Sequence, residues 1–283
     1  MYSLIRKNFP KLNELKLAVI GHIEWVTFLK VDHLAQAGII SHASKEVQLP
    51  AGGGAVTAIK LAKLTKRKVD FYTALGKDEL GIKCSKILKN YNLNLYIGWK
   101  DDPTRRGISM IDHEGERAIT VIGKRVQPSI QDDIPWGLLG DYDGIFITAC
   151  DRFILNECGK AKKVIATPRV GLEVLNKTDT QLHALIGSNL DPTEKKILDR
   201  ISKKPQLLIK TEGENGGNYH PGGEFKPVKV RKALVDTYGC GDSFAAGVTA
   251  GLAADYSAKE SILIGAKCGA ECATYFGPYE NSN

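Results

Sequence analysis

Short apolar runs alternate along this chain with stretches whose apolar residues recur at helical spacing. LAVIG (17–21) reads as a strand, Gly54 to Leu64 as a helix and VDFYTALG (69–76) as a strand. Asp78 to Asn90 reads as a helix with Leu80, Cys84, Ile87 and Leu88 on one face. The rhythm continues through DGIFITAC (143–150), a helix near 151–160, VIAT (164–167), ALIGS (184–188), a helix from Pro192 to Ile201 and QLLIK (206–210). Such repetition implies right-handed crossovers and a mainly parallel sheet with helices on both faces, an α/β protein in three layers. Two stretches break it. Residues 24–50 are strand-like with no helical period, and 93–122 contain RGISMID and RAITVIG around the turn HEGE, a hairpin pattern. Two antiparallel interruptions of one α/β chain predict a small sheet lying over one edge of the larger body as a lid. No repeat, low-complexity tract or long linker appears, so residues 1–283 read as a single domain with lid strands from about 24–50 and 93–122.

Composition narrows the class without choosing a function. At 43% hydrophobic and 25% charged, the chain supports a full core, which excludes disorder and disulfide-stapled mini-domains. A net charge of +7 suits an anionic ligand such as a nucleotide. The densest basic run, Lys66-Arg67-Lys68, ends a helical pattern, where cations complement the helix dipole, so nucleic acid is not expected as a partner. No stretch of ~18 apolar residues and no leader-like start occur, which predicts a cytoplasmic protein without a membrane segment. The six cysteines form no CxxC pair and read as free thiols of a reducing compartment, with Cys268 and Cys272 giving at most half a metal site.

The chemistry concentrates in ALVDTYGCGDSFAAGVTAGLAA (233–254). A turn from Asp236 to Gly241 feeds a helix beginning near Asp242, so the N–H groups of Gly239, Cys240 and Gly241 would form an anion hole at the positive end of the helix dipole. A carboxylate beside an anion hole suits a general base on a hydroxyl that attacks the bound anion, although Asp is also an ordinary helix cap. Together these features point to phosphoryl transfer. Rival motifs are missing: there is no GxxxxGK[ST], no GxGxxG after the first strand, no GxSxG and no HExxH.

DTYGCGDSFAAG (236–247) closely resembles the C-terminal signature of the ribokinase-like (PfkB) carbohydrate kinases, DTxGAGD followed by a small-residue helix. Further segments follow that family's order. AGGGAVTAIKLAKL (51–64) is similar to its di-glycine signature, ALGKDELG (74–81) to its GxDxxG segment and TRRGISMIDHEGERAIT (104–120) to its lid hairpin. SNLDPTE (188–194) resembles its Asn/Glu segment near magnesium and KTEGENGG (210–217) its nucleotide turn, so the resemblance spans essentially the whole chain. It implies a ribokinase-like α/β/α sandwich with a β-strand lid, ATP as co-substrate and Mg2+ as cofactor. Asp242 would be the base and Gly239, Cys240 and Gly241 the anion hole; Asp236 would order the turn and help hold magnesium. Thr211, Gly213 and Gly216 would line the nucleotide pocket, Asn189 and Glu194 would act on magnesium and its waters, and Gly52 and Gly53 would let backbone approach the acceptor. The resemblance also implies a homodimer paired through the lid.

The chain departs from the family at the acceptor. Five residues after Gly21, where such kinases place a sugar-binding Asp, stands Val26; Glu24 is the candidate replacement. The Asn of the di-glycine helix is replaced by Val56 or Thr57, of which only Thr57 can hydrogen-bond a ligand. The site is then re-gripped by His22, Glu24, Trp25 and Asp32, or the acceptor is a less polar one. Arg105 and Arg106 on the lid either reach a phosphate or solubilise an exposed hairpin. Trp25, Phe28, Tyr96 and Trp99 either stack on a ring or pack the lid. Cys240 replaces the usual alanine, and a thiol at a helix N-terminus is expected to have a lowered pKa or else to pack inertly. The expected activity is transfer of the γ-phosphate of ATP to a sugar hydroxyl. A nucleoside or vitamin-alcohol kinase of the same fold, and a catalytically weak sugar or nucleotide sensor, are the alternatives.

Overall fold

The computed structural model describes residues 1–229 and 232–280. In chain order its elements are α1 (Tyr2–Asn8), β1 (Leu17–Ile20), β2 (Glu24–Val31), β3 (Ala43–Ala51), α2 (Gly53–Thr65), β4 (Val69–Gly76), α3 (Glu79–Leu88), β5 (Leu93–Lys100), β6 (Arg106–Ile111), β7 (Arg117–Ile122) and β8 (Gly144–Ile147). There follow α4 (Arg152–Cys158), β9 (Val164–Ala166), α5 (Leu172–Lys177), β10 (Ala184–Ser188), α6 (Pro192–Arg200), β11 (Leu207–Thr211), β12 (Gly217–His220), β13 (Gly223–Phe225), α7 (Cys240–Ala253) and α8 (Ala258–Cys272).

The large sheet runs β13-β12-β11-β10-β9-β8-β1-β4-β5, parallel from β11 to β5 and antiparallel at β12 and β13. Its central strands are buried on both sides, which is why they read as continuous apolar runs. Along β1, Leu17 and Val19 enter one core with residues of α2, α7 and α8, while Ala18 and Ile20 enter the other with residues of α4, α5 and α6. Small residues bring helices together on the first face: a Cβ on Gly247 of α7 would lie 2.6 Å from the Gly265 Cα of α8.

The second sheet, β3-β2-β6-β7, is the lid, with β2 parallel to β6 and both outer pairings antiparallel. The lid is smaller than the sequence pattern suggests. Residues 93–100 form β5, which pairs with β4 along the full strand at the edge of the large sheet, so the second lid segment begins only at Arg106. The pattern is the same in both settings because a half-buried edge strand alternates as a lid strand does. Tyr96 accordingly stacks on Tyr72 of β4, at 4.6 Å between ring centroids.

Candidate active site

The carboxyl ends of β1, β8, β9, β10 and β11 meet the start of α7, the edge where open α/β sheets bind ligands. Helix α7 starts as the motif requires. Its N-cap Gly239 is left-handed at φ +77° and supplies no side-chain cap, but of the three N–H groups expected to form an anion hole that of Cys240 is already used within the turn. The Cys240 N–H turns back to the Thr237 carbonyl at 3.3 Å, while Gly241 lines a cleft of about 460 Å³. Asp236 orders the approach: its two oxygens accept from the Tyr238 and Gly277 N–H groups at 2.9 and 3.0 Å, and it is buried.

That cleft has apolar walls. Phe225, Val228, Phe244, Ala266 and Ala270 line it, together with Thr211, Gly213, Gly216, Cys240 and Gly241. Gly216 sits at φ +86°, and a Cβ there would fall 2.1 Å from the Phe225 carbonyl oxygen, so the turn admits only glycine. Asn189 is held beside it, its amide donating to Glu212 at 2.8 Å. Of the two readings of Cys240, inert packing is the one that fits. Contact with the Cys272 thiol and then burial push its pKa well up, so the helix terminus does not yield a reactive thiolate.

Asp242 points the other way. It is 8% exposed, and its Oδ1 accepts from Arg169 Nη1 at 2.9 Å. The same guanidinium donates through Nε to Glu194 at 2.8 Å, and the other Glu194 oxygen accepts from the Ser188 N–H. Asp242 and then Glu194 hold the Arg169 pKa well above its ordinary range. Gly53 lies at the meeting point: a Cβ there would stand 3.0 Å from Thr148 Oγ1, 3.1 Å from Asp242 Oδ1 and 3.2 Å from Arg169 Nη1. Thr148 Oγ1 is buried with no hydrogen-bond partner among the described residues. Gly52, at φ +85°, donates its N–H to the Tyr238 hydroxyl at 3.4 Å.

The candidates read at the acceptor separate. Strand β2 turns Glu24, Val26 and Phe28 toward the main body, where Phe28 meets Tyr238 edge-on at 4.8 Å. Trp25 faces the other way, under Lys83 of α3. Glu24 is present but engaged, its Oε1 lying 3.1 Å from Arg105 Nη1 and 3.6 Å from His22 Nε2. Thr57 does not face a ligand. It is fully buried where α2 packs on α7, and its hydroxyl donates to the Asp242 carbonyl at 3.4 Å. Val56 packs beside it, with Cγ1 3.0 Å from where a Gly239 Cβ would be. Asp32 is outside the site; its carboxylate accepts from His33, Ser41 and His42 and holds the β2–β3 loop. Arg106 is exposed.

The GxDxxG segment explains how the lid is seated. Asp78 accepts from the Gly81 N–H at 2.7 Å and from the Thr104 hydroxyl and N–H at 2.7 and 2.6 Å. Burial opposes ionisation, yet these hydrogen bonds hold its carboxyl below its ordinary pKa. A Cβ on Gly76 would strike the Asp102 oxygen and the Thr104 nitrogen, both at 2.6 Å. The segment thus ties α3 to the residue before Arg105.

Arg169, Thr148 and Arg125 are the site residues that sequence reasoning passed over. Arg125 Nη1 donates to the Arg169 carbonyl at 2.8 Å. Thr148 and Arg169 lie one and three residues past the ends of β8 and β9, the place where the carboxyl-end rule directs attention. For magnesium, among the described residues no group of three or more His, Cys, Asp or Glu side chains gathers. Asp242 keeps one oxygen without a hydrogen bond among the described residues, while Glu194 is engaged by Arg169 and the Ser188 N–H and Asp236 by two backbone N–H groups. This donor set fits a hard cation that arrives on nucleotide phosphates and is met through water.

Comparison with known proteins agrees with this architecture. The model of the pfkB family carbohydrate kinases matches residues 147–283. A ribokinase of Lactococcus lactis is 27% identical over 271 residues, covering 88% of this chain and 87% of that protein. The crystal structure of ribokinase from Thermotoga maritima superposes with a TM-score of 0.71 at 22% identity, over 93% of this chain and 94% of that one. Arabidopsis thaliana ribokinase complexed with ribose and ATP gives 0.70 at 18% identity, over 93% and 94%. No helix among the described residues is long and apolar enough to cross a membrane.

Proposed function

Because this chain is a ribokinase-like member of the pfkB family of carbohydrate kinases, we propose that it transfers the γ-phosphoryl group of ATP to a hydroxyl of a sugar, with Asp242 as general base. One observation carries the reading. The Asp242 carboxylate stands on the first turn of α7 between an apolar cleft that Cys240 and Gly241 line and the backbone at Gly53. A nucleotide in that cleft directs its terminal phosphate at the α7 N-terminus, and a hydroxyl over Gly53 lies within reach of Asp242. The neighbour bound to ribose and ATP supports the choice of ligands.

In this mechanism Val228 and the stacked pair Phe225 and Phe244 wall the pocket for the base, and the Gly213 to Gly216 turn lets backbone approach. First-turn N–H groups of α7 take the charge that develops on the phosphoryl oxygens. Magnesium, when bound with the nucleotide, neutralises phosphate charge; Glu194 would hold its waters, with Asn189 nearby and Asp236 acting only by ordering the turn. Asp242 takes the acceptor proton at Oδ2 while Arg169 fixes Oδ1. The lid, seated through Asp78, covers the acceptor and excludes water that would otherwise compete for the phosphoryl group. Exposed Ile119, Val121 and Ile122 on the outer lid strand β7 suit pairing with a second copy, and the six free cysteines suit a reducing cytoplasm.

The test is ADP release from Mg·ATP by wild-type and Asp242→Asn protein across pentoses, hexoses, nucleosides and vitamin alcohols. Turnover with a sugar that falls by ~10²–10⁴ in the variant is expected. Equal rates would remove Asp242 from the base role, and binding without turnover of any acceptor would make the protein a sensor.

A further inference from the structure

The lid side of the acceptor site is lined by arginines in place of the hydroxyl-gripping groups that would suit a neutral sugar. Arg105 stands just before β6 and Arg125 just after β7, and the pairing of Arg106 with Ile122 brings these two flanks to the same end of the hairpin. The Trp25 N–H bonds the Arg105 carbonyl at 2.9 Å, the Arg105 guanidinium is held by Glu24 on the same lid strand as Trp25, and the Arg125 guanidinium donates to the Arg169 carbonyl of the main body. All three arginines act on the same two buried groups, Glu24 and His22. Burial and then these arginines keep His22 neutral, so it adds no charge.

The three arginines and the carboxylates Glu24, Glu194 and Asp242 balance in number but not in place. Arg169 is met by Asp242 and Glu194, and Arg105 by Glu24, but among the described residues no carboxylate pairs with Arg125. Arg125 keeps an exposed edge, and desolvation and then the neighbouring Arg105 and Arg169 push its pKa down, with Glu24 opposing them. Among the described residues Arg105 Nε and His22 Nδ1 are buried without a hydrogen-bond partner, each a cost until a ligand atom reaches it. Val26 and Val56 meanwhile offer a sugar ring no hydrogen bond. Clustered guanidiniums match a tetrahedral dianion in charge and in fork geometry.

We propose that the acceptor is a sugar phosphate, whose existing phosphate is held by Arg125 and Arg105 while its free hydroxyl faces Asp242. The inference rests on the kinase reading above and specifies its substrate class. The product would then carry two phosphates: the Pγ–O bond to ADP breaks, a new P–O bond forms at the acceptor oxygen, and its proton passes to Asp242. An upstream reaction must supply a monophosphorylated sugar.

The experiment measures ADP release from Mg·ATP with D-ribose, D-fructose, D-gluconate, D-ribose 5-phosphate, D-ribose 1-phosphate and D-fructose 6-phosphate, for wild type, Arg125→Gln and Arg106→Gln. A sugar phosphate should exceed its unphosphorylated counterpart at least ~100-fold in kcat/KM. Arg125→Gln should raise the KM for that acceptor ~10–100-fold with the KM for ATP unchanged, and Arg106→Gln should do neither. A neutral sugar used as well as its phosphate, a preference for gluconate, or an Arg125→Gln effect on ATP alone would overturn the proposal. If no acceptor is turned over, the kinase reading fails, and calorimetry decides the subsite separately. Sugar phosphate binding lost in Arg125→Gln supports it, and equal or absent binding in both proteins overturns it.

Discussion

The two halves of the proposed site differ in what they are made of. The cleft proposed for the nucleotide is made of glycine turns, the α7 start behind its Gly239 cap and apolar walls. The acceptor half is made of charged side chains, Glu24, Arg105, Arg125, Arg169 and Asp242, drawn from residues far apart in the chain and held by one another. A backbone device works with few specific side chains, so it leaves a compact motif. A side-chain device depends on where distant residues converge. The first kind fixes a chemistry, and the second kind chooses what it is done to.

Asp242→Asn should break the link between the halves, lowering turnover by ~10²–10⁴ while calorimetric affinity for Mg·ATP stays within about twofold. Gly216→Ala comes next. Its Cβ would overlap the Phe225 carbonyl at a φ of +86°, so nucleotide affinity should weaken ~10-fold or more while the acceptor KM holds. An equal loss on both sides would show that the halves are not independent.

Asp78→Ala tests the acceptor half through its scaffold. Losing the cap on α3 and the tie to Thr104 should cost ~1–2 kcal/mol in denaturant unfolding and raise the acceptor KM with little change for ATP. The smallest effect is electrostatic. Burial first, then the three arginines, lower the His22 pKa below its unfolded value of about 6.5, so His22 contributes stability above that pH and the contribution is lost as pH falls toward the folded value. Wild type should lose stability on acidification below pH ~6.5, by at most ~1.4 kcal/mol per pH unit, relative to His22→Gln. Parallel pH profiles would place the imidazole outside the arginine field.

Much of this protein was legible in its sequence. The strands 69–76 and 184–188 coincide with their apolar runs, because strands buried on both faces need apolar residues throughout. The turn and helix from Asp236 were visible because glycine and small residues are demanded locally, by a positive φ at Gly239 and close packing at Gly247. The tertiary structure decided the rest. It assigned residues 93–100 to the large sheet, since one alternating pattern serves an edge strand and a lid strand alike. It buried Thr57 against α7 and set Arg105 inward while leaving its neighbour Arg106 exposed, because successive residues take opposite faces and only packing chooses which is covered. It also brought Arg169 onto Asp242, 73 residues away, a contact created by strand order and not by any local spacing. Local sequence carries what a backbone must do to bind phosphate; which charges face the acceptor is a property of how distant strands are ordered in the sheet.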